Sequence, residues 1–229
     1  MNTINIQEKK EHYIPILEKS GWKVVQDIVQ SSLFDQILIK LIDQVSDNKR
    51  FTPKYKDIFN AFIECPYENL KVIMIGQDPY PQLGVADGIS FSCSHTQKEN
   101  PSLRYIFDEL QQQYPNASRD PDLRRWSNQG VLMLNTALTV QVGKIGSHYS
   151  IWKEFIKVLF SYLNKRDDLI IVLLGKKAEE WEMMLNNNTI LKVPHPASAA
   201  YKGGKWDSKN LFKEINNLLN QQGNNLITW

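Results

Sequence analysis

A chain of 229 residues, 42% hydrophobic and 23% charged, can bury one substantial core, so a single domain over residues 1–229 is expected, with N-terminal helices in residues 1–50. A formal net charge of +2 sets up no global positive field, and any contact with a polyanion has to be local. Two cysteines are too few for a disulfide framework and lack zinc-ligand spacing, the polar start has no apolar signal core, and no run approaches the roughly 20 apolar residues that cross a bilayer; reduced thiols in a cytoplasmic compartment are expected, with no membrane association.

In chain order, Ser31 and Ser32 are placed to cap a helix whose apolar residues Leu33, Phe34, Ile37, Leu38, Leu41, Ile42 and Val45 recur at helical spacing. A second helix is predicted over residues 55–64, burying Ile58, Phe59, Phe62 and Ile63. Residues 71–75 form a short apolar run that breaks at Gly76, which reads as a buried strand. Asn100 and Pro101 resemble an N-cap followed by proline at the first helical position, opening a helix through Leu103, Ile106, Phe107 and Leu110. A second apolar run, 131–134, ends at Asn135, and a helix is predicted over 151–163. The third run, 169–174, ends at Gly175-Lys176-Lys177 and leads into a helix carrying Ala178, Trp181 and Leu185. The fourth run, 189–193, ends at Pro194-His195-Pro196, and a last helix buries Leu211, Ile215, Leu218 and Leu219. Four short strands separated by helices predict an α/β fold, a single domain built on a central four-stranded parallel twisted sheet with helices on both faces.

Every one of the four runs ends in a polar or glycine-containing segment. Ligands of open α/β sheets bind beyond the carboxyl ends of the strands, so a parallel sheet brings Asp78, Asn135 and His195 together although they are far apart in sequence. Residues 71–92, KVIMIGQDPYPQLGVADGISFS, are the stretch around which the rest is arranged. Gly76 permits backbone angles that a side chain forbids, and Pro79 and Pro81 fix φ, so Asp78 and Tyr80 sit on a stiffened loop. The chain has no Gly-x-x-x-x-Gly-Lys-Ser/Thr loop, no Gly-x-Gly-x-x-Gly, no Gly-x-Ser-x-Gly and no His-Glu-x-x-His. His12, His95, His148 and His195 beside two unpaired cysteines give little support to a metal site. What remains is acid–base or electrostatic catalysis, with an amide reading a hydrogen-bonding edge.

At this point the motifs resemble the family-1 uracil-DNA glycosylases. G-Q-D-P-Y at 76–80 resembles that family's water-activating loop, and G-I-S-F-S follows at 88–92. Pro101-Ser102 resembles its proline-rich loop, 130–140 its uracil-reading strand, and His195-Pro196 the opening of its DNA-inserted loop; F-T-P-K-Y-K-D-I-F-N-A-F at 51–62 is also family-like. The resemblance spans roughly residues 51–211. It implies hydrolysis of the bond between uracil and deoxyribose in DNA by base flipping, at a cost of about a few kcal/mol for unstacking, leaving an abasic site and initiating base excision repair. By the same resemblance Asp78 positions water and offsets the oxocarbenium charge, and His195 stabilises the uracil anion. Asn135 reads the base, Tyr80 excludes the thymine methyl and Phe91 stacks on the ring, with Gln77 also at the base. DNA contacts are implied for Pro101, Ser102, Gly175, Lys176, Ala199 and Tyr201, and Lys202, Lys205 and Lys209 form a further basic group. No cofactor or metal is implied. The expected partners are uracil-containing DNA, single- or double-stranded, and a candidate proteinaceous inhibitor, with the chain itself a monomer in the cytoplasm, or in the host cytoplasm or nucleus for a viral chain.

Four places depart from the family pattern. Pro81 stands where most members have histidine, Lys176 follows Gly175 where serine is usual, and the stretch from His148 to Trp152 is one residue shorter. Ala197, Ser198 and Ala199 stand where serine, proline and a leucine wedge are usual. Either Tyr201 takes over as the wedge, or flipping is less assisted and single-stranded substrate is preferred. Two other readings compete: a catalytically weak DNA-binding or replication-accessory protein on the same fold, and a glycosylase with a shifted base choice.

Overall fold

The four apolar runs form one sheet. The computed structural model describes residues 6–201 and 203–229, the side chain of Tyr201 excepted. Strands β2 (Val72–Gly76), β3 (Val131–Asn135), β5 (Ile170–Leu174) and β6 (Thr189–Val193) are all parallel, in the order β3-β2-β5-β6. The chain goes from β2 to β3 on one side and then to β5 on the other, so the order reverses at β2. That reversal opens a crevice beyond its carboxyl end. Register carries the same logic to the neighbour: Gly76 pairs with Asn135, which sets the start of the Asp78 loop beside the amide. A two-residue antiparallel ladder, β1 (Phe51–Thr52) with β4 (Val140–Gln141), lies apart from this sheet.

Every residue of β2, β3 and β5 is buried, as continuous apolar strands require when both faces are covered. Alternate residues point to opposite faces. Ile73, Ile75, Leu132, Leu134, Ile171 and Leu173 join one core cluster with α1 (Ile6–Lys19), α2 (Lys23–Gln30), α3 (Ser32–Ser46), α4 (Asn60–Glu64) and α7 (Tyr149–Leu163). Val72, Met74, Val131, Met133, Ile170 and Val172 join the other with α5 (Pro101–Gln113), α6 (Arg124–Ser127) and α9 (Leu211–Gln221); α8 (Lys176–Glu179) follows β5. Phe59 lies at the centre of the first cluster, edge-on to Tyr13 at 4.7 Å and to Trp152 at 6.3 Å. Each such fully buried ring contributes about 1.5–3 kcal/mol relative to exposure.

Several local expectations give way. The helix expected over 55–64 is a 3₁₀ turn, Tyr55–Asp57, followed by α4, because the Ala61 N–H donates to Gly88 O at 3.3 Å rather than closing a helical turn. The helix expected through Leu185 ends after one turn, and Glu182–Met184 is 3₁₀; Trp181 instead turns edge-on to Phe160 at 5.5 Å. Neither proposed cap makes its bond. Ser31 Oγ donates backward to Ile28 O at 2.7 Å, and Asn100 Nδ2 donates to Cys93 Sγ at 2.9 Å. In α1 the buried stripe is Lys10, Tyr13 and Leu17, with Lys10 Nζ neutralised by Asp35 Oδ1 at 2.7 Å.

Candidate active site

At the carboxyl edge a cleft of about 290 Å³ is lined by Gln77, Asp78, Tyr80, Phe91, Ser102 and His195, among others. An adjoining recess shares Pro79, Tyr80 and Phe91 with it and carries Asn135 and Leu138. The three side chains expected to converge therefore do so, each delivered by the end of a different strand.

Gly76 is required here for space rather than for an unusual φ, since it is absent from the left-handed region. A Cβ on it would lie 2.6 Å from Ser90 Oγ and 2.7 Å from Asn135 Oδ1. Immediately beyond it, Asp78 Oδ2 accepts hydrogen bonds from Gln77 Nε2 at 2.9 Å and from the Gly146 N–H at 3.0 Å. Its other oxygen, Oδ1, is buried and takes no hydrogen bond from the protein. Burial pushes the Asp78 carboxyl above the usual carboxylate range, and the two hydrogen bonds pull it part of the way back. Gln77 thus spends its side-chain N–H on the acid while still lining the cleft.

His195 follows β6. Its Nδ1 accepts the Ala197 N–H at 3.2 Å, which leaves Nε2 to carry the proton of the neutral ring. Burial lowers the imidazole below its ordinary value and so favours that neutral form. Gly175, at φ +86°, lets the end of β5 pass close beside it, since a Cβ there would lie 2.8 Å from His195 Cβ. The ring lies 5.7 Å from that of Phe91, tilted by 45°.

Phe91 has φ +64°, a conformation that costs a bulky residue about 1–3 kcal/mol and persists only where the surroundings over-determine it. Here the Tyr80 hydroxyl donates to Phe91 O at 3.1 Å, and the flanking Ser90 N–H donates to Met133 O at 3.0 Å. Below the loop, fully buried Asp87 accepts from the Ile89 and Ser94 N–H groups and from the Ser92 and Ser94 hydroxyls. Asn135 is 8% exposed and its Oδ1 lies 2.8 Å from Ser90 Oγ.

The loop that supplies Gly146 is held by a buried chain. Trp152 Nε1 donates to Thr139 Oγ1 at 2.7 Å, and Thr139 Oγ1 lies 2.8 Å from His148 Nδ1. His148 Nε2 donates to Gln44 Oε1 at 2.7 Å, and burial pushes the imidazole down to about 4.

Of the expected DNA contacts, Pro101 and Lys176 are exposed and Ser102 lines the cleft. Ala199 is corrected: it is fully buried in the core beside α5 and presents no side-chain surface to a nucleic acid. The Tyr201 side chain and Lys202 lie outside the described residues. Lys205 is exposed, and Lys209 Nζ reaches Lys192 O at 3.4 Å. Sequence reasoning missed Ser90, Gly146 and Ile145. Ile145, 66% exposed on the cleft rim, could have been found as an apolar residue set between Lys144 and a glycine. Among the described residues no group of three or more His, Cys, Asp or Glu side chains could hold a metal.

A parallel α/β sheet whose order reverses above a half-buried acid with one buried, unbonded oxygen has the architecture of an enzyme. The family model described as the uracil DNA glycosylase superfamily matches residues 62–220. A uracil-DNA glycosylase of Proteus mirabilis is 39% identical over 202 residues, covering 86% of this chain and 89% of that protein. One of Fusobacterium nucleatum is 36% identical over 221 residues, covering 92% and 95%. Among solved structures, a mimivirus UNG in complex with UGI superposes with a TM-score of 0.82 at 25% identity, covering 92% of this chain and 87% of that one. The chain belongs to the uracil DNA glycosylase superfamily, a family of enzymes.

Proposed function

We propose that the chain hydrolyses the N-glycosidic bond between uracil and deoxyribose in DNA, leaving an abasic site that initiates base excision repair. Family membership supports the reaction class, and the cleft supports the roles. The observation that carries the mechanism is the asymmetry of Asp78, with one oxygen held twice and the other buried without a protein partner. Oδ1 is the oxygen that orients water toward the anomeric carbon, and the ionised carboxylate offsets the positive charge growing on the sugar. His195, neutral with its proton on Nε2, donates to the oxygen on which negative charge gathers as uracil departs.

Asn135 reads the base: its amide donates to O4 and accepts from N3–H, whereas cytosine offers an amino group and a bare N3 there. Sites built on paired polar groups discriminate by about 10⁴–10⁵. Phe91 stacks on the ring, and Tyr80 fills the space that the thymine methyl needs. The nucleotide is extruded from the stack to reach this recess, at a cost of about a few kcal/mol. Ser102 in the cleft lining and the exposed Pro101 and Lys176 supply the phosphate-backbone contacts, while Gly175, buried against His195, offers only its main chain. The similarity to the UNG that was crystallised with UGI supports a proteinaceous inhibitor as a partner of this chain too. Unpaired, buried Cys65 and Cys93 support a reducing, cytoplasmic compartment.

The test is incubation with matched oligonucleotides carrying one uracil, thymine or cytosine, followed by cleavage at abasic sites. Release from the uracil strand alone is expected. No release from any strand, or equal release from all three, would end the proposal.

A further inference from the structure

Ser90 is 1% exposed and stands one residue before the left-handed Phe91. Its backbone is pinned beside β3 by the bond to Met133 O, and its hydroxyl lies 2.8 Å from Asn135 Oδ1. Among the described residues that hydroxyl has no hydrogen-bond partner other than this oxygen. Gly76 closes the group, since a Cβ there would strike both Ser90 Oγ and Asn135 Oδ1.

An asparagine amide has two ends of nearly equal shape, and half a turn about its last torsion exchanges them. In one orientation Oδ1 faces N3 and Nδ2 faces the exocyclic group, which suits uracil. In the other the donor faces N3 and the acceptor faces the exocyclic group, which suits cytosine. We propose that Ser90 is the positioning residue that holds the Asn135 amide in the uracil-reading orientation and so sets the choice of pyrimidine. The inference rests on the proposed function and adds to it a residue that does not itself line the cleft.

The carbonyl oxygen of the amide has two lone pairs. One accepts the Ser90 O–H and the second remains for N3–H, while Nδ2 remains for O4. In the reversed orientation Nδ2 donates to Ser90 Oγ, and the hydroxyl proton is left buried without an acceptor, the arrangement that protein interiors avoid. The same hydrogen bond therefore orders the amide before the base arrives and penalises the rotamer that accepts the wrong base.

The test is a double-mutant cycle read by single-turnover excision on uracil and cytosine oligonucleotides. Ser90→Ala and Ser90→Cys are each made in the wild-type chain and in Asn135→Ala. In the wild-type background Ser90→Ala is expected to slow uracil excision about tenfold and to narrow the uracil-over-cytosine preference by a similar factor. Ser90→Cys, with its weaker donor, is expected to fall between. In the Asn135→Ala background neither change has an effect, because the group through which Ser90 acts is gone. A wild-type rate and preference in Ser90→Ala overturns the inference, and so does an equal loss in both backgrounds, which marks simple packing. If Ser90→Ala does not fold, Ser90→Cys, which keeps the volume, decides by the same comparison. A wild-type chain that releases no uracil overturns the proposed function and this inference with it, whereas an active wild type beside an indifferent Ser90→Ala overturns this inference alone.

Discussion

The two ends of the central sheet each carry a cleft, and the larger one is not the proposed site. At the amino edge a polar cleft of about 490 Å³ is lined by Lys71, Gln129, Arg166, Asp168 and the segment around Asn225. Several of its polar groups answer one another. Arg166 forks onto Asp168 at 2.8 and 2.6 Å and also reaches Leu70 O, Lys71 Nζ donates to Asn225 O, and Gln129 bonds Thr228 in both directions. At the carboxyl edge the smaller cleft holds a buried carboxylate oxygen without a protein partner, a phenylalanine at positive φ and an imidazole with one nitrogen committed. Most buried polar groups of a folded chain find partners, and the described residues leave few bare: Arg125 Nε, Trp126 Nε1, Ser127 Oγ, Tyr149 OH and Trp229 Nε1 besides Asp78 Oδ1. Of these only Asp78 Oδ1 is a carboxylate oxygen, and it shares a cleft with a phenylalanine whose backbone is held at positive φ; there stability has been given up for something else.

The contrast can be broken most sharply at Asp78. Asp78→Asn is expected to lower uracil excision by about 10²–10⁴ without lowering the melting temperature at pH 7. The sign follows from the raised carboxyl. A group whose pKa is higher folded than unfolded adds stability that is complete below the unfolded value and is lost as pH rises through the folded one, so at neutral pH the buried charge is a cost that asparagine removes. A variant that melts lower at pH 7 and equally at pH 4 would contradict this. The same raised value places the acid limb of the wild-type rate profile above the ordinary carboxylate range.

Next in size is His195→Ala, expected to cost about 10²–10³ in single-turnover excision, as loss of one oxyanion donor does. Because burial lowers His195, the wild-type rate should stay level as pH rises from 7, with no limb from that ring.

His148 tests the scaffold rather than the cleft. Its imidazole is held at about 4 in the fold against 6.5 for the free group. The stability it contributes is therefore complete above 6.5 and is lost as pH falls toward about 4. Denaturant midpoints should decline through that window in the wild type and be flatter in His148→Gln; parallel curves would remove the claim.

Smallest is Arg166→Ala at the amino edge. It should cost about 1 kcal/mol of stability, in keeping with a partly exposed ion pair, and leave excision within about twofold of wild type, as expected of a surface change remote from the chemistry. A large loss of activity there would erase the distinction between the two edges.

Much of this was legible before any coordinates. The strands announced themselves because both faces of the sheet are covered, which makes the apolar runs continuous, and parallel strands then forced Asp78, Asn135 and His195 to one edge. The N-terminal helices were legible only in outline because α1 places Lys10 at a core position, its charge neutralised by Asp35, 25 residues away. The break at residues 58–59 depends on Gly88 approaching the chain there, a contact that no local pattern encodes. The Gly146 N–H on Asp78 spans 68 residues and uses backbone, so its side-chain code is empty. Ser90 was visible as a letter in G-I-S-F-S, but its partner lies 45 residues further on.

A crystal structure of the chain soaked with free uracil addresses the whole account at once. The base should lie on Phe91, with O4 and N3 within hydrogen-bond distance of the Asn135 amide and O2 within reach of His195 Nε2. Uracil seated at the amino edge, or in the carboxyl-edge cleft without touching Asn135, would contradict it.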